Sequence, residues 1–393
     1  MNDQFGHLIG DEVLNQVAER LRSLVEPGDI VARVGGDEFA IILIGEAASK
    51  RARSLAQKVT ERLGEPFPAG QVVAYCGATV GIVLAPDDAT TTSELRQCAD
   101  LALYRAKERG RGSICCFDPR MDEASRDRRT LEGDLRTAVA NGDVKLVYQP
   151  ILSALTGEIT SVEALARWSH PKKGPIPPDI FIPLAEECGL IGTLGEALLR
   201  LACSDAVWWP SSVRVAVNLS PLQFQAGDLS ATVRSVLQDT GLAAERLQLE
   251  VTEGLVIRDV DRTFAELERL RALGIQILMD DFGVGYSSLS YFQRFPFDKV
   301  KIDKSFVDHI TTSRASRAIV QAVVGLGEQL GMGIVAEGVE TEEQMHALVA
   351  AGCTHLQGYL FSKPLTTTEM DERLSALLND GVDRAGRRSA RAA

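Results

Sequence analysis

The sequence predicts a two-domain α/β protein, in which a small α/β domain precedes an eight-stranded barrel of the TIM type. Three observations support this fold class. The chain has 393 residues, and 45% of them are hydrophobic, which is enough for two well-filled cores. Helical patterns alternate with short apolar strands over residues 1–118. Between residues 144 and 360, eight apolar segments follow one another, and most are separated by helical stretches.

The N-terminal domain is predicted over residues 1–118, and its alternating pattern indicates an α/β layout of modest size. The predicted helices are Asp11–Val25, Ala48–Leu63 and Ser93–Arg109, and the predicted strands are Ile30–Val34, Phe39–Ile44 and Val72–Leu84.

A linker helix is predicted over residues 119–141. The charged stretch Met121–Arg129 holds almost no large apolar residue, and the amphipathic segment after it ends at Asn141-Gly142, which is a helix stop signal. The tail, residues 373–393, is rich in arginine and is predicted to be disordered, because it has little to bury.

The barrel is predicted over residues 142–372, between the linker helix and the tail. Its eight strands are expected at about 144–151, 159–166, 213–219, 247–252, 275–280, 298–302, 333–337 and 354–360.

The charge and the cysteine and histidine content narrow the possible functions. A net charge of -12 disfavours a nucleic-acid-binding protein, because non-specific binding to phosphates takes clustered Lys and Arg. No apolar run approaches the roughly 20 residues of a membrane span. The first residues also lack the basic start of a signal peptide, so a cytoplasmic protein without a membrane segment is expected. The 7 cysteines show no CxxC spacing and the 5 histidines no HExxH, which argues against a zinc site or a disulfide framework.

Polar residues follow the apolar part of nearly every predicted barrel strand. In a TIM-type barrel the catalytic groups come from the carboxyl ends of different strands, so these side chains are expected to meet at one rim. The residues in such positions are Glu163, Asn218, Glu250, Asp280, Asp281, Lys301, Glu337 and Gln357.

Several carboxylates at one dry rim repel one another, so such a set requires cations. Oxygen ligands without His or Cys favour Mg²⁺ or Mn²⁺ over zinc. Two ions about 4 Å apart are a standard arrangement for cleaving a phosphodiester, because they activate a water and stabilise the leaving oxygen. Lys301 is suited to orient that water, and Arg167 is suited to bind a phosphate oxygen.

Asp280 and Asp281 are adjacent, so within a regular strand their side chains point to opposite faces. Both reach one site only where the strand gives way to a turn. The segment Asp281-Phe282-Gly283-Val284-Gly285 is expected to supply that turn.

Each of these residues also has a simpler interpretation when it is taken alone. A single glutamate such as Glu163 is more often a surface or capping residue than a ligand. Asp280 is able to cap the next helix, and Lys301 is able to pair with Asp303. The shared position of eight polar residues after apolar segments favours a common site, since packing alone does not explain it.

At these residues the chain closely resembles the EAL family of cyclic di-GMP phosphodiesterases, over about residues 130–370. The motifs are YQPI (148–151), EALARW (163–168), NLS (218–220), LEVTE (249–253), DDFGVGYSSL (280–289), KIDKSFV (301–307), AEGVE (336–340) and QGYLFSKPL (357–365).

The resemblance implies a barrel that hydrolyses cyclic di-GMP to linear pGpG with two Mg²⁺ or Mn²⁺ ions, and it implies a homodimer. The implied metal ligands are Glu163, Asn218, Glu250, Asp280 and Asp281. Lys301, Glu337 and Asp281 are the implied catalytic residues, and Gln149, Arg167, Gln357 and Glu340 are the implied substrate contacts. Glu253 is implied to anchor the loop after Asp281.

Residues 1–118 resemble the GGDEF family of diguanylate cyclases, with Gly35-Gly36-Asp37-Glu38-Phe39 as the signature hairpin. By that resemblance Asn2 and Asp11 read the guanine of GTP, Asp37 binds metal, and Lys107 and Arg111 face the phosphates. The family's first strand, with its metal-binding Asp, is expected before Asn2 and is absent from this sequence. We therefore expect no cyclisation of GTP and a regulatory or GTP-sensing role for this domain.

The sequence thus favours an enzyme that hydrolyses cyclic di-GMP with divalent metal ions. Two other interpretations stay open. In one, the barrel is a catalytically silent receptor for the dinucleotide. In the other, a longer native chain is both cyclase and phosphodiesterase. The intact set of Glu163, Asp280, Asp281, Lys301 and Glu337 argues against a receptor, which has no need of a complete metal site.

Overall fold

The structure is a computed structural model that describes residues 7–70, 72–110, 112–225, 227–252, 255, 260–283 and 294–376. The chain divides into two compact units, Met1–Leu131 and Glu132–Ala393. No helix in these described ranges is long and apolar enough to cross a membrane.

The N-terminal unit combines helices with short paired strands. In chain order its elements are α1 (His7–Leu24), β1 (Ile30–Gly35), β2 (Glu38–Ile42), α2 (Ala48–Leu63), β3 (Phe67–Ala69), β4 (Val72–Ala74), β5 (Val80–Ile82), α3 (Thr92–Glu108) and β6 (Ile114–Cys116). The pairs β1–β2 and β3–β4 are antiparallel, and β5–β6 is parallel. The predicted single strand Val72–Leu84 is wrong in its extent, because its two ends pair with different partners as β4 and β5.

The core of this unit forms where amphipathic helices meet. Val13, Val17 and Leu21 are four residues apart on α1, so they line one face of the helix. They are buried in one cluster with Val59 and Leu63 of α2.

Helix α4 (Arg120–Asn141) follows, and the division between the two units falls inside it. Gly142 adopts a left-handed φ of 70°, and the backbone N–H of Asp143 donates to the carbonyl of Ala138 at 2.8 Å. Such a glycine ends a helix by satisfying its last carbonyls. The predicted helix stop at Asn141-Gly142 is therefore confirmed.

The C-terminal unit is a closed barrel of eight strands, as the sequence predicts. The barrel strands are β7 (Val144–Ser153), β8 (Ile159–His170), β10 (Arg214–Leu219), β11 (Leu247–Thr252), β12 (Gln276–Phe282), β13 (Lys299–Ile302), β14 (Gly333–Ala336) and β15 (His355–Leu356). Neighbouring strands pair in that order, pairing of β8 with β10 closes the barrel, and β9 (Gly174–Ile176) extends the edge of β8. The helices of this unit include α5 (Pro178–Glu187), α6 (Ile191–Ala206), α7 (Leu229–Thr240), α8 (Val260–Ala272), α9 (Lys304–Val307), α10 (Arg314–Leu330) and α11 (Glu342–Ala351).

Strand residues alternate between the helical layer and the barrel interior. Val215 and Val217 of β10 are buried in one cluster with Val233 and Val236 of α7, so they face the helices. Asn218 has the opposite parity and therefore points toward the interior at the carboxyl end of the strand.

Strand β7 runs antiparallel to both of its neighbours, β8 and β15, whereas the other barrel pairs are parallel. Only residues 154–158 connect β7 to β8, which is too short for the helical crossover that a parallel pair needs. The reversal places Gln149 directly opposite Glu163 in the ladder.

The end of the barrel differs from prediction in two places. The strand expected at 354–360 is only His355–Leu356, because the chain then turns to pack Gly358 against the backbone of Val339. The tail was expected to be disordered from residue 373, but residues 367–376 are helical and Leu374 is buried. Residues 377–393 lie outside the described residues.

Candidate active site

The ammonium group of Lys301 lies at the centre of the carboxylates that follow the barrel strands. Its Nζ is 2.7 Å from Glu250 Oε2, 2.5 Å from Glu337 Oε1, 3.2 Å from Asp280 Oδ1 and 3.5 Å from Glu163 Oε2. Only 1% of the Lys301 side chain is exposed. One buried cation therefore offsets part of the repulsion among four carboxylates.

The simpler interpretation of Lys301 as a partner of Asp303 is wrong. Asp303 instead caps α9, since its Oδ1 accepts from the backbone N–H of Ser305 at 3.0 Å. Asp280 also faces Lys301. Residues 284–293, which follow its strand, lie outside the described residues, so the capping role suggested for Asp280 stays a prediction.

Side-chain amides hold Glu163 from both sides. Asn218 Nδ2 donates to Oε1 at 2.9 Å, and Gln357 Nε2 donates to Oε2 at 2.7 Å. Gln357 also reaches Gln149 Oε1 at 3.3 Å, and Gln149 Nε2 donates to the carbonyl of Ser362 at 3.2 Å. The reversed strand β7 thus contributes to the same network as the parallel strands.

The pKa values of these groups reflect burial and their neighbours. Burial opposes the charged form of Glu163, but Lys301 and the two amides outweigh it and lower the pKa of this carboxyl. Burial raises the pKa of Glu250 well above its usual value, and the charges of Glu163 and Asp280 add to that effect. Burial also raises the pKa of Glu337 to about 8. Burial opposes the charge on Lys301, but the surrounding carboxylates raise its pKa well above the usual value.

The strand pleat breaks where two adjacent aspartates follow one another. Asp281 has a φ of 54°, the left-handed conformation, and the pairing of β12 with β13 shifts between Met279 and Phe282. Asp280 is buried beside Lys301, whereas Asp281 is exposed. Although the residue is exposed as a whole, partial desolvation of its carboxyl, together with the charges of Asp280 and Asp303, raises the pKa of Asp281. The break expected after the strand is therefore present at Asp281, and Val284 and Gly285 lie outside the described residues.

Two predicted substrate contacts lie outside this network. Arg167 is four residues beyond Glu163 on β8, and its Nη1 donates to the carbonyl of Ala166 at 2.8 Å. Glu340 is exposed and accepts from Lys304 Nζ at 2.6 Å. The predicted loop anchor, Glu253, lies outside the described residues.

The nucleotide-binding residues predicted for the N-terminal unit are not joined into a network. Asp37 lies at the turn of the β1–β2 hairpin, where Gly36 has a φ of 50°. Asp11, Asp37 and Lys107 are exposed, and no hydrogen bond links any two of them within the described residues. Asn2 and Arg111 lie outside that part of the chain.

Family models match both units. Residues 132–364 match the model described as the EAL domain. This chain belongs to the EAL domain family. Residues 1–113 match the model described as the diguanylate cyclase, GGDEF domain.

Curated relatives align with nearly the whole length of this chain. An uncharacterized signaling protein of Caulobacter vibrioides is 49% identical over 365 residues, which are 92% of this chain and 45% of the relative. The bifunctional diguanylate cyclase/cyclic di-GMP phosphodiesterase MucR of Pseudomonas aeruginosa is 41% identical, over 94% of this chain and 54% of its own. The chain thus spans about half the length of the curated relatives it matches.

Solved EAL structures resemble the barrel unit. The MucR phosphodiesterase in complex with cyclic di-GMP matches with a TM-score of 0.59 and 43% identity, over 61% of this chain and 99% of that one. Klebsiella pneumoniae BlrP1, with manganese and cyclic di-GMP, matches with a TM-score of 0.52 and 33% identity, over 57% of this chain and 56% of that one.

The donor chemistry of the EAL site fits hard divalent cations. Glu250 Oε1 and Gln357 Oε1 are buried and have no hydrogen-bond partner among the described residues, which is unusual for such oxygens. In the same residues, no three His, Cys, Asp or Glu side chains are placed to hold one ion as they stand. The carboxylates face Lys301 instead.

Sequence reasoning missed two groups of the EAL site. The carbonyl of Ser362 fixes Gln149, and a backbone contact of this kind leaves no signal in residue type. Asp303 acts electrostatically on Asp281, and its position two residues after Lys301 is the only hint in the sequence.

Proposed function

We propose that this chain hydrolyses cyclic di-GMP to linear pGpG at the EAL site, with two Mg²⁺ or Mn²⁺ ions. The observation that carries the proposal is the buried network around Lys301, in which four carboxylates, three within barrel strands and one directly after a strand, face one point. Relatives that align with nearly the whole chain include a protein named a cyclic di-GMP phosphodiesterase, NbdA of Pseudomonas aeruginosa. Solved neighbours contain cyclic di-GMP with manganese or with calcium.

Five oxygen-bearing side chains are proposed to hold the ions. They are Glu163, Asn218, Glu250, Asp280 and Asp281. When bound, a pair of ions supplies a water of lowered pKa and stabilises the leaving oxygen of the phosphodiester. The amides of Asn218 and Gln357 already fix the orientation of the Glu163 carboxylate, so one of the five proposed metal ligands is preorganised.

Lys301 and Glu337 are proposed to act on the attacking water. The Lys301 ammonium is held rigidly by four partners, so it is able to orient that water by a hydrogen bond and to offset developing negative charge. The Glu337 carboxylate contacts the Lys301 ammonium directly, so it is placed to act on the same water. Gln149, Gln357, Arg167 and Glu340 are proposed to contact the dinucleotide.

The test is incubation of the 393-residue chain with cyclic di-GMP and Mg²⁺ or Mn²⁺, with pGpG followed by chromatography. We expect turnover in the wild type and a loss of more than about hundredfold in Glu163→Ala. The matched control is Glu158→Ala. Glu158 is exposed in the short connection between β7 and β8, so this variant is expected to be fully active. Binding of cyclic di-GMP without turnover by the wild type would support the silent-receptor interpretation instead.

For the N-terminal unit we propose a regulatory role without cyclisation of GTP. GTP binding, homodimer formation and cytoplasmic location also stay predictions. Purified chain incubated with GTP and Mg²⁺ is expected to form no cyclic di-GMP, and formation of the cyclic dinucleotide would favour the bifunctional interpretation.

A further inference from the structure

A second polar layer lies inside the barrel, nearer the amino ends of the strands than the EAL site. Alternate residues of a strand share a face, so a residue two positions before an active-site residue points into the same interior. The polar residues in such positions are Ser161, Gln248, Lys299 and His355. Arg214, at the start of β10, lies directly opposite Ser161 in the ladder. We define these five residues as the amino-end cluster.

The amino-end cluster contains cations that have no carboxylate partner. Lys299 is only 7% exposed, and its Nζ donates to the imidazole Nε2 of His355 at 3.3 Å. Arg214 Nε donates to the carbonyl of Glu245 at 3.2 Å. Within the described residues, neither of these cations forms an ion pair. Buried cations are normally paired, so the cluster lacks a negative charge.

The pKa of Lys299 reflects this missing charge. Burial, followed by the charge of Arg214, lowers the pKa to about 8, although Glu250 and Asp298 act in the opposite direction. Asp298 is turned to the backbone, since its Oδ2 accepts from the N–H of Ile277 at 2.8 Å. The Lys299 ammonium therefore lies where a further negative charge would stabilise it.

His355 takes part in the cluster as a neutral acceptor. Thr354 Oγ1 donates to the carbonyl of Ile334 at 2.9 Å, so its oxygen accepts from His355 Nδ1 across 2.8 Å. Nε2 then has the lone pair that accepts from Lys299. Burial, followed by the charges of Lys299 and Arg214, lowers the pKa of His355 to about 4. The imidazole therefore adds no charge of its own near neutral pH.

Two polar side chains of the cluster are fully buried and incompletely hydrogen-bonded. Ser161 Oγ and Gln248 Oε1 have no hydrogen-bond partner among the described residues. Buried polar atoms normally bond to protein, water or an ion, so both atoms indicate a ligand. Gln248 Nε2 donates to Gln276 Oε1 at 2.7 Å. Because an amide can be turned over, this bond can also run the other way, and Gln248 then presents a donor to the ligand.

We propose that the amino-end cluster binds a small inorganic anion, such as chloride or phosphate, inside the barrel. The anion contacts the Lys299 ammonium and the Arg214 guanidinium, and it accepts a hydrogen bond from the Ser161 hydroxyl. It supplies the negative charge that the cluster lacks. Arg214 and His355 are partly exposed, so ions enter from solvent at the amino end. This site is basic and the EAL site is acidic, so the two take ligands of opposite charge.

The test measures the thermal stability of the full 393-residue chain in different sodium salts. EDTA is present, so no metal ion at the EAL site attracts the anion. The melting temperature of the barrel, followed by tryptophan fluorescence, is compared in chloride, phosphate and gluconate at equal ionic strength near neutral pH. Gluconate is too bulky for the cluster. Chloride or phosphate is expected to raise the melting temperature above that in gluconate by about 2–4 °C, since a ligand of the folded state stabilises it.

Two variants separate anion binding from the general effects of salts. Lys299→Met removes one cation at similar side-chain volume. Gln248→Glu leaves the cations in place but puts a carboxylate of the protein where the anion would bind. In both variants the difference between the salts is expected to disappear. Lys172→Met, at an exposed position outside the cluster, is the matched control and should keep the full difference.

Chloride magnetic resonance measures binding directly, because the chloride signal broadens when the ion exchanges with a site on a protein. The wild type and Lys172→Met are expected to broaden the signal more than Lys299→Met and Gln248→Glu do, and added phosphate should reverse the excess. Equal melting temperatures of the wild type in all three salts would overturn the proposal. So would a difference between the salts, or a broadening, that persists unchanged in Gln248→Glu. Since turnover is not measured, these results are independent of the proposed function.

Discussion

At the scale of single residues, Lys301 connects the stability of the barrel to its chemistry. Its ammonium is buried among Glu163, Glu250, Asp280 and Glu337, and the carboxylates are costly to bury without it. A charge that satisfies several partners also has a fixed direction, which is what orientation of a water requires. The same contacts therefore support folding and the proposed reaction.

Replacement of Lys301 by Met is expected to reduce both stability and activity. In metal-free buffer the free energy of unfolding should fall by about 3–5 kcal/mol, because buried carboxylates lose their cation. The turnover of cyclic di-GMP should fall by about 10²–10³. Urea unfolding and pGpG formation measure the two effects. Lys172→Met, at an exposed position, is the control, and equal stability of the two variants would contradict the prediction.

Glu337 is expected to make the metal-free protein less stable as the pH rises. Its pKa is raised from 4.5 to about 8 in the folded state, mainly by burial. Between these two values the folded chain binds a proton that the unfolded chain has released, so stability falls with increasing pH. This contribution is complete below pH 4.5 and is lost as the pH rises through about 8.

The measurement is the melting temperature in EDTA at several pH values between about 5 and 8.5. Glu337→Gln, which does not titrate, should show a shallower decline than the wild type. Glu158→Gln, at an exposed position, should follow the wild type. Identical slopes in the wild type and Glu337→Gln would show that Glu337 does not titrate in this window.

At the scale of secondary structure, short strands and the loops that follow them place the site. Strand β15 has two residues, yet Gln357 directly after it reaches Glu163 from across the barrel. The close approach of Gly358 to Val339 positions the loops after β14 and β15 against each other. The precision of this end of the barrel therefore depends on a backbone contact that excludes any side chain.

Substitution of Gly358 by Ala is expected to destabilise the barrel by about 2–4 kcal/mol. A Cβ atom at this position would be 2.0 Å from the carbonyl oxygen of Val339. Because that neighbour is a backbone atom, it cannot move aside as the end of a flexible side chain can. Gly325→Ala is the control. It lies within α10 with open space around it, so Ala should stabilise the protein by about 0.5–1 kcal/mol. Chemical denaturation distinguishes the two, and a neutral Gly358→Ala would show that the loops adapt.

At the scale of the whole molecule, the two units have separate cores of different size. The N-terminal unit has a small cluster that includes Val13, Val59 and Phe67, whereas the barrel cluster includes side chains from its strands and most of its helices. Hydrophobic stabilisation increases with the apolar area buried, so the barrel is expected to be the more stable unit.

Unfolding in urea is therefore expected to occur in two steps. The 3 tryptophans, Trp168, Trp208 and Trp209, all belong to the barrel, so their fluorescence reports on that unit alone. Circular dichroism reports on the helices of both units and should begin to change at lower urea. Mn²⁺ should raise the fluorescence midpoint and leave the early dichroism change in place. Coincident transitions by both probes would contradict separate unfolding.

The sequence by itself determined the strand order, the barrel and the polar residues that follow the strands. Apolar segments of strand length predict strands, and residues such as Glu163 and Glu250 stand at their ends, so the site follows from local pattern. The helix stop at Gly142 has the same origin, since it depends only on adjacent residues.

Tertiary structure decided the features that depend on distant parts of the chain. The reversal of β7, the central position of Lys301 and the contact of Gly358 with Val339 each join residues far apart in sequence. The sequence predicts that carboxylates gather at one rim, but not that a lysine of the protein itself lies at their centre. That outcome depends on which way each side chain points once the barrel closes, and periodicity alone does not contain it.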